Sequence, residues 1–253
     1  PEWVGLENYH RAIDDPMLIG AFRNIAFYAA IIVPSVVCLG LAAALFVNQG
    51  WPLSTVARTM FFAPHVVSAT VIGLIWVWIF DTQFGVLNQY ISNFGFPNVP
   101  WLTSTQWSLV SVSIASVWWD LGRTLILFLA FFQEVPKELY EASNIDGANR
   151  WHNFRYITLP HIRPVMNMIV TLQLISTMRI FSQVYVMTNG GPAGSSASAI
   201  FYVFLQAIVN NAMGYASAIS VLLFFGILVL TIVQQTFLRR NARGQYSKYF
   251  SSN

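Results

Sequence analysis

Two oppositely charged side chains stand inside an apolar run, "SVWWDLGRTLILF" (residues 116–128). Asp120 falls near the middle of that run and Arg123 three residues later, so a helix places both on one face. Ionisable groups at such depth are costly and usually face a bundle interior or a wet cavity. Two roles are open. The pair satisfies itself, or a partner chain, with no ligand contact; or it lines a path for a polar solute. In a later apolar run Arg179 stands two residues after Thr177, slightly outward of the centre.

A second stretch is polar: "EASNIDGANRWHNFRYITLP" (141–160), lying between the apolar "TLILFLAFF" and "VMNMIVTLQLI". Pro136 suits the first turn of a helix, and "KELYEASNI" supplies helix formers. Gly147 sits where a positive φ stops a helix sharply. "ANRWHNFRYI" predicts a second short helix with Trp151, Phe154 and Ile157 at three-residue spacing, ending where Pro160 disfavours helix in Leu159. The expectation is two short helices meeting at a glycine corner. Taken alone, such a segment also reads as a solvated loop with an aromatic face resting on lipid.

No residue set for catalysis is visible. The four histidines are scattered, with no His-Glu-x-x-His helix. The chain has neither a G-x-x-x-x-G-K-[ST] phosphate loop nor a serine nucleophile elbow. Cys38 is alone, which excludes a disulfide framework or thiolate metal site. No catalytic residue, metal site or cofactor is expected in this chain, and no nucleic-acid partner.

The elements that must position these residues follow from composition. Of 253 residues 56% are hydrophobic and 9% charged, against about a quarter charged in soluble domains. Five stretches approach the roughly 20 apolar residues a bilayer crossing needs: 25–47, 60–80, 107–132, 165–187 and 212–238. They are apolar on every side, unlike the alternating strands of a barrel. The expected fold is all-α, a polytopic helical membrane bundle. Residues 1–24 form an extracytoplasmic lead-in with turn chemistry at Asp14-Asp15-Pro16, 25–238 the transmembrane domain, and 239–253 a cytoplasmic tail. The segment 188–214 is expected to begin flexible and to become an interfacial helix from Ala199.

Lys and Arg near span ends favour the cytoplasm. They occur at Arg58, at Lys137, Arg150, Arg155 and Arg163, and at Arg239, Arg240, Arg243 and Lys248, while 81–106 and 188–211 have none. The quoted polar segment and the C-terminus are therefore expected on the cytoplasmic side. Five spans then put Pro1 outside, and a further transmembrane helix is expected to precede it.

The polar segment resembles the EAA loop of permease subunits of binding-protein-dependent ABC importers. The carrying residues are Glu141-Ala142-Ser143, Asp146-Gly147-Ala148, Phe154, Ile157-x-Leu159-Pro160 and Pro164. Ser143 alone departs, standing where the pattern has a second small alanine. "VGLENY" with "DP", "TNGGP" and "GYASAISVLLF" extend the likeness over essentially the whole chain to the maltose-type sugar permeases. The fold implied is the type I importer permease bundle of a prokaryotic cytoplasmic (inner) membrane.

The resemblance implies that the loop, about 134–164, docks into a cleft of a cytoplasmic ATPase. Glu141 would be an anionic anchor. Trp151 and Phe154 would fill an apolar pocket, as rigid interface anchors do. Gly147 would permit close approach, and Leu159-Pro160 would tie the element to the next membrane helix. The partners implied are two ATPase subunits, which bind the ATP and Mg, a second homologous permease, an extracytoplasmic solute-binding protein and the lipid bilayer. The resemblance also places Trp119–Arg123, Thr177–Arg179 and His65 along the path, with Trp119 stacking on a sugar and Asp120, Arg123, Thr177 and Arg179 binding polar groups. A di- or oligosaccharide is the implied substrate. Glycerol-3-phosphate or another polyol is the nearest alternative, and two arginines against one aspartate also suit an anion.

Two other classes fit less well. A secondary transporter usually shows internal repeats, and none is visible. A membrane enzyme needs acid, base or metal groups converging at the membrane face.

Overall fold

The computed structural model describes residues 3–49 and 52–250, with backbone only for 237–250. Pro1, Glu2, Gly50 and Trp51, the side chains of Arg239, Arg240, Arg243 and Lys248, and the end of the expected tail lie outside the described residues. The described residues form helices and connecting turns. In chain order these are α1 (Glu7–Asp14), α2 (Pro16–Val47), α3 (Ser54–Val66), α4 (Ala69–Ile79), α5 (Val86–Asn93), α6 (Ser108–Phe132), α7 (Lys137–Ile145), α8 (Arg150–His152), α9 (Leu159–Met178), α10 (Ser182–Met187), α11 (Ala199–Phe204) and α12 (Met213–Phe250).

α2 starts nine residues before the expected span because Asp15-Pro16 is a helix cap. Asp15 Oδ1 accepts from the Met17 and Leu18 N–H groups at 2.9 and 3.2 Å, and Pro16 occupies the first helical position. Much of the expected lead-in is thus α1 and the opening turns of α2.

Among the described residues, α2, α6 and the Met213–Thr236 part of α12 are long and apolar enough to cross a bilayer. The expected span 60–80 is broken instead: α3 and α4 meet at 99° and count as a fourth only if taken together. The expected span 165–187 is likewise interrupted. α9 begins earlier, ends at Met178, and is followed after Phe181 by the short α10. His161, Arg163 and Asn167 dilute its apolar content.

α2 packs along α6, which also takes α3, while α9 packs on α2. Val47, Phe132, Ile162 and Val165 fill the core at one end; Ala12, Leu18, Tyr202 and Tyr215 fill it at the other. Glycine sets two of these approaches. A Cβ on Gly122 of α6 would lie 2.2 Å from the Phe61 carbonyl oxygen of α3, and one on Gly40 of α2 would lie 2.6 Å from Thr124 Cγ2.

The segment 188–198, expected to be flexible, is instead pinned into the bundle. Asn24 Nδ2 donates to the Gly194 and Ala197 carbonyls at 2.8 and 3.0 Å. Tyr28 Oη donates to the Ser196 carbonyl at 2.8 Å. Buried carbonyls of an irregular loop need such donors, and α2 carries them. The following α11 buries Phe201 and Tyr202.

Candidate functional site

The break between α3 and α4 frees the Val67 carbonyl, and Trp119 Nε1 of α6 donates to it at 3.0 Å. His65, two residues before Val67, lies with Nδ1 3.2 Å from the Trp119 carbonyl and its ring centroid 4.9 Å from the Trp119 ring. Asp120 follows, 6% exposed. Arg123 Nη2 approaches Asp120 Oδ1 at 3.0 Å, and His65 Nδ1 lies 3.9 Å from the same oxygen. The Arg123 approach is an ion pair rather than an aligned hydrogen bond, since Oδ1 has no hydrogen-bond partner among the described residues.

Gln173 of α9 completes the cluster. Its Nε2 donates to Asp120 Oδ2 at 2.7 Å, and its Oε1 accepts from Arg123 Nη2 at 2.8 Å. One amide therefore bridges carboxylate and guanidinium, leaving a neutralised cluster at depth in the bundle. Sequence reasoning missed Gln173. The available signal was a lone amide inside "VMNMIVTLQLI", four residues before Thr177 and so on its face.

Beside this cluster is a cavity of about 200 Å³, lined among others by Ser116, Trp119, Asp120, Thr177, Arg179 and Gln183. The structure brings together His65, Trp119, Asp120 and Arg123, and sets Thr177 and Arg179 in the wall of the same cavity as Trp119 and Asp120. His65 and Arg123 contact that wall through Trp119 and Asp120 without lining the cavity themselves. Thr177 Oγ1 donates to the Gln173 carbonyl at 2.8 Å, so towards the cavity it offers acceptor lone pairs. Ser116, Ser176, Thr177, Ser182 and Gln183 beside Ile32, Ala69, Ile180 and Phe181 give a mixed wall that can orient a polar solute.

At the opposite end, α7 stops at Ile145. The Ala148 N–H bonds the Ser143 carbonyl at 3.0 Å and the Gly147 N–H the Asn144 carbonyl at 3.1 Å. With Gly147 at φ +80°, this is a Schellman stop. Asn149 Oδ1 then caps α8 through the His152 N–H at 2.9 Å. Ser143, the departure from the alanine pattern, donates to Asn153 Oδ1, and Tyr140 and Thr158 hydroxyls pair at 2.9 Å.

The second short helix does not end at Pro160. It widens into a π turn at Asn153–Thr158 and runs on into α9. The Leu159 N–H reaches back to the Phe154 carbonyl, so the ladder is already shifted where Pro160 has no N–H to give. Glu141, Ala142, Asp146 and Trp151 are exposed, while Ser143, Ala148, Phe154 and Leu159 are half-buried. Trp151 and Phe154 rings lie 5.7 Å apart, and Ile145 is 87% exposed. The corner presents apolar side chains that the other described residues do not cover.

A bundle of membrane-length helices with a broken span, a polar-lined cavity and a braced corner at one end defines a polytopic membrane permease. The chain belongs to the binding-protein-dependent transport system inner membrane components, whose family pattern matches residues 36–243. It is thus a non-enzymatic transport subunit of the inner membrane that works with a solute-binding protein. It is 29% identical to the sulfoquinovosyl glycerol transport system permease protein of Agrobacterium fabrum, over 94% of this chain and 77% of that one. It is 31% identical to the arabinooligosaccharides transport system permease protein of Bacillus subtilis, over 91% and 74%. The fold matches a crystal structure of a bacterial ABC transporter that imports the acidic polysaccharide alginate, with TM-score 0.86, 21% identity, and 94% and 84% of the chains covered.

Proposed function

We propose that this chain is a permease subunit of an ABC importer for carbohydrate, paired with a second, related permease and driven by two copies of a separate ATPase subunit. ATP and Mg belong to that ATPase. The observation that carries the reading is the Gly147 corner. Ile145 and Trp151 stand exposed beside Glu141 on an element braced by Ser143–Asn153 and continuous with α9.

A push on such a corner travels into α9 as a rigid rod, which is what hinge-type coupling needs. α9 carries Thr177 to the cavity and Gln173 to the charged cluster beside it, so force applied at the corner reaches the solute site through one helix. The distribution of Lys and Arg supports a cytoplasmic corner and a cytoplasmic C-terminus. Ser116, Thr177 and Gln183 around Trp119 suit sugar hydroxyls and a sugar face, and the relatives named for glycosides support that substrate class.

The test is reconstitution of the assembled importer in proteoliposomes with its binding protein. ATP-dependent uptake of a labelled oligosaccharide is expected. Uptake that follows an ion gradient and ignores ATP overturns the reading.

A further inference from the structure

Charge around the cavity is unequally satisfied. Arg123 is matched by Asp120 at 3.0 Å and by Gln173 at 2.8 Å, which leaves that cluster with no charge to offer a solute. Arg179, in the cavity wall where α9 stops, is exposed and has no hydrogen-bond or ion-pair partner among the described residues, so its guanidinium is open to a solute. The end of α9 offsets a cation there in part through its carbonyl dipole, but it leaves the planar fork of guanidinium donors unused. Gln183 of α10 lines the same cavity, is 5% exposed, and also lacks a hydrogen-bond partner among the described residues. Its amide keeps some exposure, so it opens onto that space and is free to meet a solute.

We propose that the cavity takes a glycoside bearing an anionic group, a carboxylate or sulfonate, with the Arg179 guanidinium as its counter-ion and Gln183 reading an adjacent hydroxyl. Guanidinium matches such planar or multi-oxygen anions through paired N–H donors. Asp120, the only carboxylate in the cavity wall among the described residues, is already engaged and does not repel an incoming anion as a free charge does. This rests on the carbohydrate reading above and narrows it.

The experiment uses the assembled importer in nanodiscs without binding protein. Binding of galacturonate, glucuronate and mannuronate disaccharides is measured by calorimetry beside their neutral methyl esters. At least one acid should bind about tenfold or more tighter than its ester. Arg179→Gln should weaken that acid and close the gap, and Arg179→Lys, which keeps the charge but not the fork, should fall between. Acid and ester bound equally by the unaltered protein, or a preference that survives Arg179→Gln, overturns the proposal and leaves the carbohydrate reading standing. No binding of any sugar, with no ATP-dependent uptake of any glycoside, removes both.

Discussion

Gln173 Nε2 lies 2.7 Å from Asp120 Oδ2, and the same amide accepts from Arg123 at 2.8 Å. Gln173 is 1% exposed, so its loss leaves a buried carboxylate oxygen without its donor and withdraws an acceptor from the guanidinium. Removing one partner of a buried polar pair costs about 1–3 kcal/mol. Gln173→Leu should therefore lower the thermal midpoint of the purified importer, and Gln173→Glu should do worse by setting a second carboxylate against Asp120. Fluorescence-detected melting checks both; unchanged midpoints would mean that the bridge contributes nothing.

Much of this was legible in the sequence, and the gaps have physical causes. Asp120 and Arg123 announce themselves because charge in an apolar run is costly, and Gly147 because a helix stop needs positive φ. Gln173 did not, since an uncharged amide barely disturbs hydropathy. The break at Val67 was hidden for a similar reason: residues 60–80 are apolar throughout, and the freed carbonyl is taken by Trp119, a tertiary contact 52 residues away. Local rules make Pro160 a terminator because they do not foresee a π turn that shifts the ladder ahead of it. In the sequence Asp15 is turn chemistry, and its capping role emerges only with α2 behind it.

Gly122 and Gly40 separate two kinds of close approach. At Gly122 the obstacle is the backbone of α3, the Phe61 oxygen at 2.2 Å and the Phe62 Cα at 2.7 Å from an added Cβ. At Gly40 it is the end of one side chain, Thr124 Cγ2 at 2.6 Å. Overpacking costs about 1–3 kcal/mol, so both alanine variants should melt earlier. Thr124→Ser should restore much of the loss in Gly40→Ala, by removing the methyl, and nothing in Gly122→Ala. A double-mutant cycle on melting midpoints measures the difference; equal rescue at both sites refutes the distinction.

At Gly147 nothing lies within 4 Å of an added Cβ, yet φ is +80°. The cost of a side chain there is conformational, about 1–2 kcal/mol, and falls on the corner rather than on the core. Gly147→Ala should leave the importer assembled while lowering uptake several-fold, with a bulkier residue lowering it further. Glu141→Lys should also reduce uptake, by reversing charge on the exposed corner. Uptake and ATP hydrolysis measured on matched amounts of assembled protein test this. Full uptake in both variants removes the corner from the coupling path.

Asp15 ties the start of α2 to α11 and α12. Tyr202 and Tyr215 hydroxyls both donate to its Oδ2 at 2.6 Å, and Arg11 lies over the Tyr215 ring at 4.1 Å. Burial opposes ionisation of Asp15, but the two tyrosines and the Leu18 and Met17 N–H groups outweigh it and hold its pKa below the ordinary carboxylate value. A group whose pKa is lower folded than unfolded stabilises the fold above its unfolded value, about 3.9, and loses that contribution as pH falls through the folded value. This contribution should thus be constant from pH 7 to about pH 5 and decline below about pH 4. Asp15→Asn keeps the shape but not the charge, so it should be less stable at pH 7 and should converge on the unaltered protein in acid. Other carboxylates titrate in the same window, including Asp81, whose pKa the Phe84 and Gln83 N–H groups lower. The informative quantity is therefore the difference in melting midpoint between the two proteins at each pH. A difference that stays constant down to pH 3 contradicts a role for the Asp15 charge, while one that closes below about pH 4 assigns it to the carboxylate clasped by Tyr202 and Tyr215.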